Sequence, residues 1–199
     1  MSQTIDKMVN ADEVPLRVGR PTDSDVVRIR ALGAEKIGAD IASLETFRRI
    51  HRRNADSLWG VYAGEDTLAG FFAFLMLNRP GTEKLVSAEL DTRNPAMDAL
   101  CRTGEAPHAV YIWAIVAEKR VAGALPQILT QFDAAVYART DLYGRPATES
   151  GRRLMQKFGF NSVSGAPEIE LGDLCVIRRS VEPVLLRYPG RREAAHVHV

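Results

Sequence analysis

A chain of 199 residues, 46% hydrophobic and 26% charged, is sized for one domain with a sizeable core. Its 26 basic residues face 25 acidic ones, a net charge of +1, which argues against a general nucleic-acid binder. Cys101 and Cys175 form no CxxC pair, so neither a disulfide framework nor a zinc site is expected.

The first residues, MSQTIDKMVNADEVP, lack the basic start and apolar core of a secretory leader. Residues 1–14 are expected to form a flexible arm, and the two unpaired thiols predict a cytoplasmic protein. PLRVGR (15–20) alternates as a short strand. Thr22 and Asp25 are then spaced as a capping box, opening a helix with Val26, Ile29, Leu32 and Ile37 on one face. A second helix is predicted over 43–53, with Leu44, Phe47 and Ile50 inward. Its outer cations, Arg48, Arg49, His51, Arg52 and Arg53, read as a solvated face ahead of an anion-steering patch.

SLWGVYAGEDTLAGFFAFLML (57–77) reads as a hairpin around Gly64, Glu65 and Asp66. Its apolar half falls short of the roughly 20 residues a membrane-spanning helix needs, so no membrane partner is expected. Residues 79–107 mix Pro, Gly and charge, with a short helix expected after Asn94-Pro95 that carries Met97, Leu100 and Cys101. AVYIWAIV (109–116) is apolar on both faces and predicts a strand at the centre of a sheet. Leu125, Ile128, Leu129, Phe132 and Val136 follow as an amphipathic helix, with Pro126 in its first turn. DLYGRPA (141–147) is strand-like, ESGRRLMQKFGF (149–160) is a helix ended by Gly159, and strands at about 167–171 and 174–180 close an α/β domain around a mixed sheet. The domain is expected to span 15–183, with 184–199 a polar tail. His196 and His198 in that tail lack a third ligand nearby, and no metal is expected.

The junction VAEKRVAGALPQIL (116–129) joins the central strand to a helix N-terminus, where free backbone N–H groups and the dipole can hold an anion. Three stretches together resemble the GCN5-related N-acetyltransferase (GNAT) superfamily over roughly 15–180. LRVGRPTDSD is similar to its opening strand and helix cap, IVAEKRVAGAL to its acyl-CoA loop, and TESGRRLMQKFGF to its closing helix. The resemblance implies a mostly antiparallel central sheet flanked by helices. It also implies acetyl-CoA or another acyl-CoA as donor, and a small-molecule or protein amine as acceptor. Arg120 and Gly123 match fixed positions of the loop. Val121, Ala122, Gly123, Ala124 and Leu125 would then supply N–H groups to the pyrophosphate, and Ile115, Val116 and Ala117 would pair with the pantetheine arm. A homodimer stays open.

The chain departs from the pattern at four places, one being Thr148 where the closing-helix motif has asparagine. Leu125 replaces a small residue of the loop, Met155 replaces the tyrosine that protonates the departing thiolate, and Tyr111 and Trp113 stand where the central strand often carries a carboxylate. A thiolate can leave unaided because thiols ionise near pH 8.5, whereas an amine with a pKa near 10.4 needs a base or a desolvating pocket. The candidates for that proton work are His108, Glu105 and Tyr111. Three functions compete: an N-acyltransferase, a GNAT-like domain that binds acyl-CoA as a sensor without turnover, and a fold used only for protein contact. The first is preferred.

Overall fold

The computed structural model describes residues 15–38, 41–64, 66–117, 121, 137 and 139–179. The arm at 1–14, the tail at 184–199 and the helix expected from Leu125 lie outside the described residues. Seven described strands form one sheet: β1 (Leu16–Gly19), β2 (Leu58–Ala63), β3 (Thr67–Leu77), β4 (Ala109–Val116), β5 (Asp141–Gly144), β6 (Asn161–Ser162) and β7 (Cys175–Ile177). Their order is β1-β2-β3-β4-β5-β7-β6, which puts β4 in the middle. All neighbours run antiparallel except β4 and β5, which are parallel. The sheet is mixed and mostly antiparallel, as expected.

Local chemistry sets the helices. α1 (Asp23–Lys36) starts at Thr22, whose side chain accepts from the Asp25 N–H while the Asp25 carboxylate accepts from the Thr22 N–H, the reciprocal box read from the sequence. Val26, Ile29 and Gly33 are its buried residues, and Ile37 is exposed at its C-cap rather than on the inner stripe. α2 (Leu44–Arg53) is capped by Ser43 and buries Phe47 and Ile50. Residues 79–107 contain a helix that the sequence reading missed, α3 (Arg79–Val86). Asn78 caps it by accepting from the Gly81 N–H, and Pro80 lies in the first turn, where no amide hydrogen is needed. The helix expected after Asn94-Pro95 is instead a single 3-10 turn, Met97–Ala99, with no side-chain cap. α4 (Glu149–Lys157) is capped by Thr148 and followed by Gly159 at φ 80°.

The strand expected near 167–171 is a correction. Of its residues only Ile169 is buried, while Glu168, Glu170 and Leu171 are exposed. The Asp173 carboxylate takes the Glu170 N–H at 2.9 Å, and Gly172 turns the chain at φ 85°. An N–H spent on a side-chain carboxylate is not available to a ladder. The strand lies earlier, at β6.

Each face of the sheet has its own core. α1 and α2 cover Phe71, Ala73 and Val116 on one face, where Phe47 meets Phe71 edge-on at 6.4 Å and Trp113 at 4.6 Å. The opposite face gathers Phe72, Phe74, Val110, Ile112, Leu142 and Met155. Helix–sheet edges are tied by polar pairs. Asp25, for example, accepts from the Tyr62 hydroxyl at 3.1 Å, and burial with that carboxylate pushes the phenol up to about 12.

The α2 cations are not the solvated face expected: only Arg52 is exposed, and Arg49, His51 and Arg53 are half-buried struts. Arg53 donates twice to the Leu100 carbonyl at 3.1 and 2.8 Å, Arg49 donates to Asn94 Oδ1 at 2.9 Å, and His51 Nε2 lies 3.1 Å from the Pro21 carbonyl. Burial holds the His51 imidazole below the ordinary histidine value, against opposing pulls from that carbonyl and from Asp23. The unfolded chain therefore binds more protons than the folded one just below pH 6.5, so this contribution to stability is present above that pH and lost as pH falls. Denaturant midpoints should drop between pH 7 and 5, and His51→Gln should flatten part of that slope. Equal slopes would remove His51 as the cause.

Candidate functional site

The central parallel pair stops early. β4 and β5 are in register only at Ala109–Asp141, Val110–Leu142 and Tyr111–Tyr143. β5 ends at Gly144, while β4 continues to Val116. Beyond Tyr111 the β4 backbone has no strand on its β5 side among the described residues, and Ile112, Trp113, Ala114 and Ile115 pass from buried to half-buried. Five residues at about 3.3 Å each open roughly 16 Å of unpaired main chain. Such an edge inside a sheet is a fork, and its unmade N–H and C=O bonds can be completed by an extended ligand.

Trp113 shapes the fork. The β3–β4 register shifts between Ala73–Ala114 and Phe74–Ile112, so Trp113 is the extra residue of a bulge. It changes the phase of β4: Val110 and Ile112 face one core, Trp113 and Ala114 both face the other, and Ile115 returns to the first. The Trp113 ring is fixed against Phe47, and its Nε1 donates to the Thr92 carbonyl at 2.7 Å.

One side of the fork is apolar. A Cβ placed on Gly144 would lie 2.5 Å from Met155 Cε and 3.5 Å from Ile112 Cδ1, so the thioether reaches into the gap over the end of β5. Met155 thus occupies the parting of the strands, and it offers no proton there. Val116, at the end of β4, and Val121 both lie against one residue of β3. A Cβ on Gly70 would lie 2.4 Å from the Val116 carbonyl oxygen and 2.6 Å from Val121 Cγ1. Ile115 and Ala117 pack on the Met155 face, whereas Val116 packs on the α1 face. Val121 is buried on Gly70. Arg120, Ala122, Gly123, Ala124 and Leu125 lie outside the described residues.

The other side of the fork is more polar. Tyr111, the last residue of β4 to pair with β5, is 6% exposed. Burial pushes its phenol above the ordinary value, while the Arg145 guanidinium beside the hydroxyl pulls the other way. The phenol is therefore neutral near pH 7, able to donate a hydrogen bond but not to act as a base. Arg145 Nη1 donates to the Gly172 carbonyl at 2.7 Å, and the Gly172 N–H donates to the Pro146 carbonyl at 2.9 Å. These bonds clamp the 170–173 turn to the rim of the fork.

The remaining candidates stand elsewhere. His108 precedes β4 at the end opposite the fork, with its N–H on the Leu77 carbonyl at 2.8 Å. Glu105 closes its own turn, accepting from the Arg102 N–H at 2.6 Å. Of the three proton-transfer candidates, only Tyr111 lies at the fork. Three residues of the site were not singled out from the sequence: Gly70, Gly144 and Arg145. The glycines matter through what lies against them, which no local pattern signals. The position of Arg145 directly after a strand-like YG was the one cue available.

No protein-family model matches this sequence, and no curated protein matches it. Solved structures do match. The loading GNATL domain of CurA from Lyngbya majuscula aligns with a TM-score of 0.61 at 13% identity, over 82% of this chain and 98% of that one. Diaminobutyrate acetyltransferase EctA from Paenibacillus lautus aligns at 0.53 and 14% identity, over 86% and 99%. A GNAT-family acetyltransferase from Staphylococcus aureus aligns at 0.51 and 9%, over 83% and 100%. The chain carries the GNAT fold.

Proposed function

We propose that the protein is an acyltransferase that draws an acyl group from acyl-CoA, acetyl-CoA in the simplest case, and passes it to an amine. The observation that carries this reading is the fork, a stretch of unpaired central strand opening beside the buried root of the 116–121 segment. Its open amides fit a pantetheine arm, which has peptide-like groups of its own. In this reading Ile115, Val116 and Ala117 pair with that arm. The turn from Arg120 and Val121 through Ala122, Gly123, Ala124 and Leu125 holds the pyrophosphate. The EctA structure, a complex with coenzyme A and its diaminobutyric acid substrate, supports the pairing of this fold with such a donor and an amine.

The thioester supplies an activated acyl group, and the rest falls to the chain. The apolar wall of Met155 and Ile112 excludes water from the donor side. The thiolate departs without a proton from Met155, as its low basicity permits. On the far side, Tyr111 donates a hydrogen bond at the mouth where the amine enters. His108 and Glu105 are too far along the chain from the fork to serve without an acceptor that reaches them. Orientation alone supplies about 7–11 kcal/mol in well-aligned systems, so modest turnover needs no dedicated base.

A second reading is a sensor that binds acyl-CoA without turnover. Met155 favours it, as does the absence of any Asp or Glu from the 112–116 stretch of β4. A thermal-shift series with coenzyme A, acetyl-CoA and longer acyl-CoAs tests both readings. Ligand at 100 times its dissociation constant adds about 2.7 kcal/mol of stability. No shift with any of them would sink both. A shift followed by free-thiol release with an amine supports the transferase, and a shift without release across an amine panel supports the sensor.

A further inference from the structure

Resting on the acyltransferase reading, we propose that Arg145 is the specificity-determining residue of the acceptor side: it orients an amine that also carries a carboxylate. The argument starts from charge. The neighbouring cations Arg152 and Arg178 are paired with Glu149 and Asp141 at 2.5 and 3.1 Å. Arg145 is exposed and has no carboxylate within ion-pair distance among the described residues. Its contacts are a backbone carbonyl and a neutral phenol. The guanidinium is held in place without being neutralised.

Position adds the second part. Arg145 directly follows Gly144, the last residue of β5, and its head lies beside the Tyr111 hydroxyl, which marks where β4 and β5 part. A thioester carbon lying in the fork would therefore be reached by an amine whose own anionic group is a few bonds away on the Arg145 side. The rim is also fixed from its far edge. Trp113 holds the Thr92 carbonyl, and Arg49 holds Asn94. A planar guanidinium with one N–H already spent on Gly172 retains further N–H groups in a fixed plane, the geometry that a carboxylate accepts in two bonds. Because the side chain is already held, less conformational freedom is lost when the anion arrives.

The class this selects is the small amino acid, as opposed to a simple alkylamine or a lysine side chain flanked by neutral backbone. The test uses matched pairs that differ by one carboxylate: lysine and cadaverine, ornithine and putrescine, serine and ethanolamine. Each is titrated by calorimetry into the protein with saturating coenzyme A, which permits no turnover, and again without it. Free-thiol release with acetyl-CoA then gives KM and kcat separately. At least one pair should favour the carboxylate-bearing member tenfold or more in affinity. Arg145→Gln should abolish that preference, raising KM while leaving kcat and coenzyme A affinity within about twofold. Arg145→Lys, which keeps the charge and a donor for Gly172, should retain part of it and serves as the control for a loosened 170–173 turn. Equal binding within every pair, or a preference that survives Arg145→Gln, overturns the proposal. An Arg145-dependent preference in a protein that does not bind coenzyme A would instead sink the acyltransferase reading and leave the anion site standing.

Discussion

Gly70→Ala is expected to cost about 1–3 kcal/mol of folding stability and to weaken coenzyme A binding together. The new methyl would meet the Val116 carbonyl oxygen at 2.4 Å and Val121 Cγ1 at 2.6 Å. The first is backbone, so no rotamer change relieves it. Either β3 moves away from the end of β4, or Val116 and the segment it leads are pushed outward. Both disturb a pair at the sheet centre, because Phe71 and Val116 are partners one residue away. Val121, buried on Gly70, must move as well, and it belongs to the segment proposed to hold the pyrophosphate. Urea denaturation should show a lower midpoint with an unchanged slope, and calorimetry should show weaker coenzyme A binding in protein that remains folded. A variant that loses stability but binds coenzyme A normally would separate Val121 from the cofactor. A variant as stable as the wild type would mean that the contact at Gly70 is looser than these distances require.

Features encoded locally were legible in the sequence. The capping box at Thr22, the hairpin of β2 and β3, and the doubly apolar β4 are each specified by a few adjacent residues. α3 escaped because Pro80 and Gly81 look like loop residues unless Asn78 is recognised as its cap. The strand expected at 167–171 failed for the converse reason: its alternation is real, but Asp173 and Gly172 commit the segment to a turn. The site was legible only as a junction. That β4 continues past β5 follows from the length difference of two strands some thirty residues apart, and no window along the chain contains it. The same holds for Arg145, whose meaning comes from Tyr111 across the parallel pair and Gly172 across the next turn. His108 and Glu105 looked suitable by residue type and by nearness in sequence to β4. They precede the end of β4 that pairs with β5, and His108 lies four residues, about 13 Å of extended chain, before the first residue of the fork.

Gly144→Val should weaken coenzyme A binding by roughly ten- to a hundredfold while costing little stability. At this position the nearest atom to a new Cβ is Met155 Cε at 2.5 Å, the free end of a flexible side chain, followed by Ile112 Cδ1 at 3.5 Å. Met155 is half-buried on a helix without fully buried residues, so it can swing aside at small cost. Valine also suits an extended strand better than glycine does, which offsets part of the crowding. The fork itself is what narrows: branched methyl groups and a displaced thioether would fill the space between β4 and the end of β5. An overpacking penalty of about 1.4–2.7 kcal/mol on the bound state corresponds to the stated loss. Met155→Ala in the Gly144→Val background removes the displaced side chain and should recover much of the affinity. In a double-mutant cycle the two substitutions should therefore be strongly non-additive, as expected for residues in contact. Calorimetry on the four proteins measures the coupling, and urea denaturation confirms that each is folded. If Gly144→Val binds coenzyme A as tightly as the parent, the pantetheine arm does not run between β4 and β5, and the fork loses its assigned role.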